Sequence, residues 1–241
     1  MSASKIEWTD ATWNPVTGCT EVSPGCAHCY AKRFAERFRD VPGHHFEHGF
    51  DLQLRPERLD EPLHWRKPRR AFVCSMADLF HDEVPEAFIH GVWLVMEAAR
   101  EHTFQVLTKR PERIAGLFAT CPEFESHWPL PNVWLGTSIE NDRFVGRADY
   151  LRQTPAAVRF ISAEPLLGPL PSLDLTGIDW LIIGGESGPG FRPMKAEWAL
   201  DLIDRAHDAG VSVFVKQSSG LRHGMQGDLP DWAFALKEFP R

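Results

Sequence analysis

The sequence has no long hydrophobic run, no excess of basic charge, no internal repeat and no low-complexity tract. No stretch approaches the roughly 20 consecutive apolar residues that a membrane-spanning helix needs. The opening residues MSASKIEWTD are polar and lack the apolar segment of a secretory signal, so a cytoplasmic protein with no membrane role is expected. The formal net charge of −7 argues against sequence-independent coating of DNA, although it leaves room for a local basic channel. An even cysteine count is also missing: there are 5, and a cytoplasmic compartment keeps thiols reduced. Disulfides are therefore not expected.

What is present is ordinary in bulk. Of 241 residues, 43% are apolar and 24% charged, which suits one well-packed soluble core. Short apolar runs recur at Ala71–Ser75, Phe104–Thr108, Val133–Thr137, Val158–Ser162, Trp180–Gly184 and Val211–Val215, each about the length of a buried strand. Another candidate lies near Thr12–Thr17. Apolar residues at helical spacing separate several of these runs: Tyr30, Ala31, Phe34, Ala35 and Phe38; Phe88, Ile89, Val92, Trp93, Met96 and Ala99; Trp198, Ala199, Leu202, Ile203 and Ala206. Pro111 stands where a helix carrying Ile114, Leu117 and Phe118 would begin, and Gly210 where another would end. This alternation predicts an α/β fold on a parallel sheet, either a full or partial barrel or a doubly wound sheet. A single domain is expected, with a loop insertion at about 40–70 and an irregular tail from about 218.

Each candidate strand runs into polar residues: Ser75-Met76-Ala77-Asp78, Thr108-Lys109-Arg110, Thr137-Ser138 followed by Glu140 and Asn141, Ser162 then Glu164, Gly184-Gly185-Glu186-Ser187, and Val215-Lys216-Gln217. Loops after strands are polar in any fold. In parallel α/β proteins, however, the ligand site lies at the carboxyl ends of the strands, so these groups would converge on one mouth. A mouth with both signs of charge suits a zwitterionic or phosphorylated ligand.

Cys19, Cys26 and Cys29 form a C-x6-C-x2-C motif between the first candidate strand and the first amphipathic helix. Gly18, Pro24 and Gly25 supply the turns that let the thiolates face one point. Soft thiolate ligands favour zinc or an iron–sulfur cluster. A zinc site would need a fourth ligand, for which His28, His44, His45 and His48 are at hand. A three-cysteine cluster would instead leave one iron open. Cys74, within an apolar run, reads as core, and Cys121, beside Pro122, as incidental. Trp8 and Trp13 read as packing, and the histidines at 44–48 have no assigned role.

The opening WNPVTGC with C-x6-C-x2-C-Y, followed by LTKRPER, GTSIEN, ISAEPL and IGGESG, resembles the phage three-Cys-motif proteins, a family regarded as similar to radical SAM enzymes. The resemblance runs from Ile6 to about Gln217. It implies a partial (β/α) barrel of about six to seven parallel strands, with the cysteine loop after strand one. It implies a 4Fe–4S cluster on Cys19, Cys26 and Cys29, whose open iron would chelate S-adenosyl-L-methionine. It also implies an electron donor such as a flavodoxin or ferredoxin. The chemistry implied is reductive formation of a 5′-deoxyadenosyl radical that abstracts hydrogen from a substrate. By position, Ser75, Met76 and Asp78 would cover the methionine, Lys109 or Arg110 would pair with its carboxylate, and Ser138, Glu140 or Asn141 would bind ribose hydroxyls. The sequence departs from that pattern in three places. His28 stands where the family usually has an aromatic before the last cysteine. The first cysteine gap is longer than the usual three residues, and the usual GGE after strand two is absent, although Gly184-Gly185-Glu186 occurs near strand six.

The leading expectation is thus a radical SAM-like enzyme acting on a nucleic acid or nucleotide, with Glu164, Glu186 and Lys216 gripping substrate or handling protons. The run Trp65–Arg70 joins basic residues to an aromatic, as contacts to phosphate and base require, although a solvated turn is the plainer reading. Two other readings stay open. One is a zinc-stabilised binding or regulatory protein. The other is a metal-dependent hydrolase using Asp78, Glu140 and Glu164.

Overall fold

The computed structural model describes residue 4, residues 6–121 and residues 128–240. Among them, seven strands form one sheet: β1 (Ala11–Trp13), β4 (Arg70–Val73), β5 (Thr103–Thr108), β6 (Val133–Ser138), β7 (Val158–Ala163), β8 (Trp180–Gly184) and β9 (Ser212–Gln217), in that order, with every neighbouring pair parallel. Two short strands, β2 (Val16–Thr17) and β3 (Gln53–Leu54), pair antiparallel outside it. Helices α2 (Glu86–Ala98), α3 (Pro111–Thr120), α4 (Arg147–Gln153) and α5 (Ala196–Asp208) sit in the crossovers. Helix α1 (Tyr30–Ala35) follows the cysteine loop, and α6 (Asp231–Phe234) lies in the tail. No described helix is long and apolar enough to cross a membrane.

Strict side-chain alternation divides the core in two. Phe104 and Val106, Ile161 and Ala163, Leu181 and Ile183, Val213 and Val215 point outward and join the helices in the larger cluster. Their neighbours Phe72, Phe160, Trp180, Ile182 and Phe214 point inward and form a second cluster with Trp8. Trp8 touches both Phe72 on β4 (4.8 Å between ring centroids) and Trp180 on β8 (6.2 Å), so the sheet curls around it as a half-barrel. Trp180 also meets Trp134, Phe160 and Phe239, which completes an aromatic floor. Gly136 makes room for that floor: a Cβ there would lie 2.4 Å from the Phe160 ring.

The expected partial barrel is thus present, with differences that have local causes. The run Thr12–Thr17 splits at Asn14-Pro15 into β1 and β2, because proline has no N–H for the ladder. The run Ala71–Ser75 ends as a strand at Val73, since buried Cys74 takes φ +59 and turns the chain. The strand expected at Val211–Val215 runs from Ser212 to Gln217. The insertion is not a bare loop: it carries β3 and two 3-10 turns, and the Arg58 carbonyl accepts from Trp13 Nε1 at 2.8 Å. Within it, His44 stacks on Phe38. The tail pairs with β9: Val215 N donates to Leu236 O and Glu238 N to Val213 O. It thereby covers what would be an open edge.

Because Gly136 and the Phe160 ring share one space, Gly136→Ala is expected to lower unfolding free energy by about 1–3 kcal/mol through overpacking. Phe160→Leu in the same chain should recover part of the loss. Denaturant unfolding of the single and double variants measures this, and a silent Gly136→Ala would contradict the packed floor.

Candidate functional site

The cysteine loop leaves β2 through Gly18, at φ +82. A Cβ there would lie 2.1 Å from Asp51 O, so glycine is required by space as well as by conformation. Gly18 N donates to Met76 O and Cys19 N to Phe50 O, which pins the loop between the end of β4 and the insertion. A 3-10 turn, Pro24–Cys26, then brings Cys26 round, and Cys29 caps the start of α1. Apart from these contacts the loop has little backbone structure of its own. Its shape comes from side chains at the strand ends.

Three charged groups grip it. Glu140, after β6, is fully buried; it accepts from Ser23 Oγ at 2.5 Å and from Arg147 Nη1 at 3.0 Å. Gly25 packs so close to it that a Cβ would meet Glu140 Oε1 at 2.4 Å. Glu186, after β8, accepts from His28 Nδ1 at 2.9 Å and from Arg192 Nη2 at 2.5 Å, while Arg192 Nη1 donates to Pro24 O at 3.0 Å. Arg110, after β5, donates to Cys19 Sγ at 3.6 Å, to Thr20 Oγ1 at 2.9 Å and to Asp78 Oδ2 at 3.4 Å. Asp78 is itself saturated by Thr108 Oγ1 at 2.7 Å and the backbone N–H groups of Phe80 and Lys109, both at 3.0 Å.

These contacts set the local proton affinities. Burial alone would raise the Glu186 carboxyl, but the hydrogen bonds from Arg192 and His28 hold it at about 2. Burial and the nearby Asp78 push the Cys19 thiol up, against the opposing hydrogen bond from Arg110.

Beneath the loop lies a cavity of about 510 Å³. Cys19, Cys26 and Cys29 line it, together with Ser75, Asp78, Lys109, Arg110, Ser138, Glu164, Glu186 and Lys216. Most of the sequence-predicted residues are thus brought to one mouth. Met76, Glu140 and Asn141 are not among its lining. Met76 serves through its backbone, Glu140 is committed behind the loop, and Asn141 caps a 3-10 turn by accepting from Arg143 N. Glu186 is engaged by Arg192 and His28, which makes it an anchor of the loop. Glu164 and Lys216 form a separate pair, 2.8 Å apart, with Ser162 Oγ donating to Glu164. Gly184-Gly185 is a packing device: a Cβ on Gly184 would meet Glu164 Oε1 at 2.5 Å, and one on Gly185 would meet Ser219 N at 2.3 Å.

The basic run does not reach this mouth. Arg70 opens β4, at the opposite end of the barrel, where it pairs with Asp10 and lies over the Phe239 ring. Trp65 is buried, with Arg69 over its ring. His44, His45 and His48 do not line the cavity either.

Sequence reasoning missed Ser23, Arg147 and Arg192, whose roles depend on partners more than 100 residues away or in loops without a motif. It also missed Tyr30, which donates to Ser75 O, and His223, which meets Ser187 Oγ at 3.0 Å on the cavity wall. The glycines at 25, 184 and 185 were the available signal, since each marks a close approach.

As for a metal, the donor set fits a thiolate-bound group: three half-buried thiols share one cavity, with the buried cation of Arg110 on one of them. Among the described residues, no three His, Cys, Asp or Glu are gathered so as to hold one metal ion.

The Glu186 clamp has a pH signature. A carboxyl depressed from 4.5 to about 2 on folding contributes stability in full above pH 4.5 and loses it as pH falls toward 2. Glu186→Gln should cost roughly 1–3 kcal/mol near neutrality and flatten the acid limb of stability in that window. Urea unfolding across pH measures both, and an unchanged acid limb would refute the clamp.

No curated protein and no solved structure matches the chain. Residues 3–227 match the model of a family described as protein of unknown function (DUF5131), and the chain belongs to that family.

Proposed function

We propose that the protein is an iron–sulfur enzyme of the radical SAM type, with a 4Fe–4S cluster held by Cys19, Cys26 and Cys29. The observation that carries this reading is the placement of the three cysteines: one loop, fixed by buried charges over the carboxyl-end mouth of a seven-stranded parallel half-barrel, on the wall of a closed-bottomed cavity. When bound, a cluster with S-adenosyl-L-methionine supplies a 5′-deoxyadenosyl radical for hydrogen abstraction. The residues of the chain do the rest. Arg110 donates to the Cys19 sulfur and neutralises part of the charge that three thiolates bring. On the cavity lining, Ser138 offers a hydroxyl and Lys109, 3.8 Å from Glu140, a cation for a carboxylate, while the Ser75 hydroxyl is spent on Asn14 Oδ1. Glu164 and Lys216, held against each other, offer both signs of charge to a substrate and a site for moving a proton. Trp8, Phe72 and Leu107 give the cavity an apolar lower wall continuous with the aromatic cluster.

Two arrangements speak against the competing readings. A closed zinc site needs a fourth ligand beside the three thiolates; His44, His45 and His48 do not line the cavity, and His28 is engaged by Glu186 through Nδ1. Asp78, Glu140 and Glu164 are engaged by different partners on different sides of the mouth, which does not make a carboxylate metal site. The proposed substrate is a nucleotide or a segment of nucleic acid that reaches the cavity, without help from the Trp65–Arg70 run.

Anaerobic purification with iron and sulfide should give a brown protein absorbing at about 400 nm, with about four irons per chain. Addition of S-adenosyl-L-methionine and dithionite should release 5′-deoxyadenosine, and Cys26→Ala should abolish both colour and release. A colourless protein with one tightly held zinc would overturn the proposal.

A further inference from the structure

Each lysine and arginine lining the cavity has a carboxylate: Lys216 has Glu164 at 2.8 Å, Lys32 has Glu21 at 2.8 Å, Arg110 has Asp78 at 3.4 Å and Lys109 has Glu140 at 3.8 Å. An unpaired cation stands just beside this lining. Among the described residues, the Arg33 guanidinium on α1 has one hydrogen bond, a long one from Nη2 to Ser187 O at 3.4 Å, and no carboxylate. An arginine presents five donors in a flat fork, so most of this one is unspent. It lies over Gly188, where φ is +106 and a Cβ would come within 2.9 Å of Nη2. Glycine there lets the guanidinium close on the backbone. Ser187 and His223 both line the cavity, with Ser187 Oγ 3.0 Å from His223 Nδ1. Glu186, the adjoining acid, is taken by Arg192 and His28.

The fold does not depend on these side chains. Backbone bonds already join the two segments that carry Ser187 and His223: Gly185 N donates to Gln217 O, Gly188 N to Gly220 O and Gly220 N to Glu186 O. Gly224 N donates to Gln217 Oε1 at 3.0 Å and closes the turn that holds His223. What remains is a guanidinium, a hydroxyl and an imidazole with no acid spent on them, at the rim of a cavity whose own cations are paired. Those are the donors of a phosphate site. Arg33 N donates to Cys29 O at 3.1 Å, so the group stands one helical turn from the third cysteine. We propose that Arg33, Ser187 and His223 bind a phosphate group of the substrate and hold it at the rim, so that the sugar and base it carries enter the cavity. The nucleotide part of this rests on the substrate reading given above; the phosphate subsite itself requires neither cluster nor S-adenosyl-L-methionine. A free nucleotide and a nucleic-acid strand present the same chemistry to it, a phosphate ester.

Titration calorimetry on the full chain tests this, before and after anaerobic cluster loading. The probes are inorganic phosphate, the ribonucleoside 5′-monophosphates, their parent nucleosides and a single strand of about ten nucleotides. The monophosphates or the strand should bind about tenfold or more tightly than the nucleosides, with inorganic phosphate competing. Arg33→Gln should weaken phosphate-bearing probes about tenfold and leave nucleoside binding within about twofold. Arg33→Lys keeps the charge without the fork and should fall between the two. Ser187→Ala should weaken the same probes about threefold. Arg33 is exposed, so its variants should unfold at the wild-type urea midpoint. Preference for the strand, with affinity falling steeply as salt rises, assigns the subsite to nucleic acid; preference for a monophosphate assigns it to a free nucleotide. Equal binding of nucleosides and their monophosphates would overturn the subsite. So would phosphate affinity unchanged in both Arg33→Gln and Ser187→Ala, or no binding of any phosphate probe. Arg33-dependent binding of inorganic phosphate with no gain from any nucleotide or the strand would keep the subsite and remove the nucleotide reading. Iron content reports the cluster reading separately.

Discussion

The candidate site depends on two buried carboxylates that hold a loop with little structure of its own. Glu140 and Glu186 stand at the ends of β6 and beyond β8, and each joins a cation of its own neighbourhood to the cysteine loop. One takes Ser23 and packs on Gly25; the other takes His28. A loop rich in glycine and proline has high conformational entropy when free. Three thiols at fixed relative positions therefore require constraint from outside the loop, and buried charge-assisted hydrogen bonds supply it. Arg110 extends the same logic to the first cysteine. The mouth is thus less a ring of ligand-binding groups than a frame for the thiols, with Glu164, Lys216 and the serines left facing the cavity.

Much of this was legible in the sequence, for a physical reason. Parallel strands buried on both faces read as short apolar runs, so the runs at Phe104–Thr108, Val133–Thr137, Val158–Ser162 and Trp180–Gly184 fall within a residue of the observed strands. The position of polar residues just after each strand follows from the handed alternation of the fold, and eight of the residues picked from it line the cavity with the cysteines. What was not legible is the difference between a residue that faces the cavity and one that faces the loop. Glu140 and Glu186 look alike in sequence to Glu164, and only the approach of Ser23, Gly25 and His28 separates them. Gly184-Gly185 invites a ligand-binding reading, yet both glycines are there because Glu164 and Ser219 occupy the space a Cβ would need.

The inner face of the sheet has a sharp vertical division. Its lower layer is aromatic, with Trp8, Phe72, Phe160, Trp180 and Phe214 in mutual contact. Its upper layer carries Ser138, Ser162, Glu164 and Lys216. One strand supplies both layers: Phe160 and Ser162 lie two residues apart on β7, as Phe214 and Lys216 do on β9. The same alternation that builds the core therefore fixes the depth at which polarity begins. The aromatic floor prevents the barrel from being a pore, and it confines polar chemistry to the end where the cysteines are.

The clamp also imposes a timetable. The contacts that shape the cysteine loop join residues 91, 117, 158 and 168 positions apart, through Arg110, Glu140, Glu186 and Arg192 in turn. Such long loops close late, because their entropy must be overcome before the contact forms. A growing chain displays all three thiols long before Arg192 has been made. Until β8 and the segment after it are in place, the thiols are ordinary cysteines on a mobile stretch. The final arrangement of the three thiols is thereby deferred to a nearly finished fold, which makes the last third of the polypeptide a checkpoint for a loop within its first thirty residues.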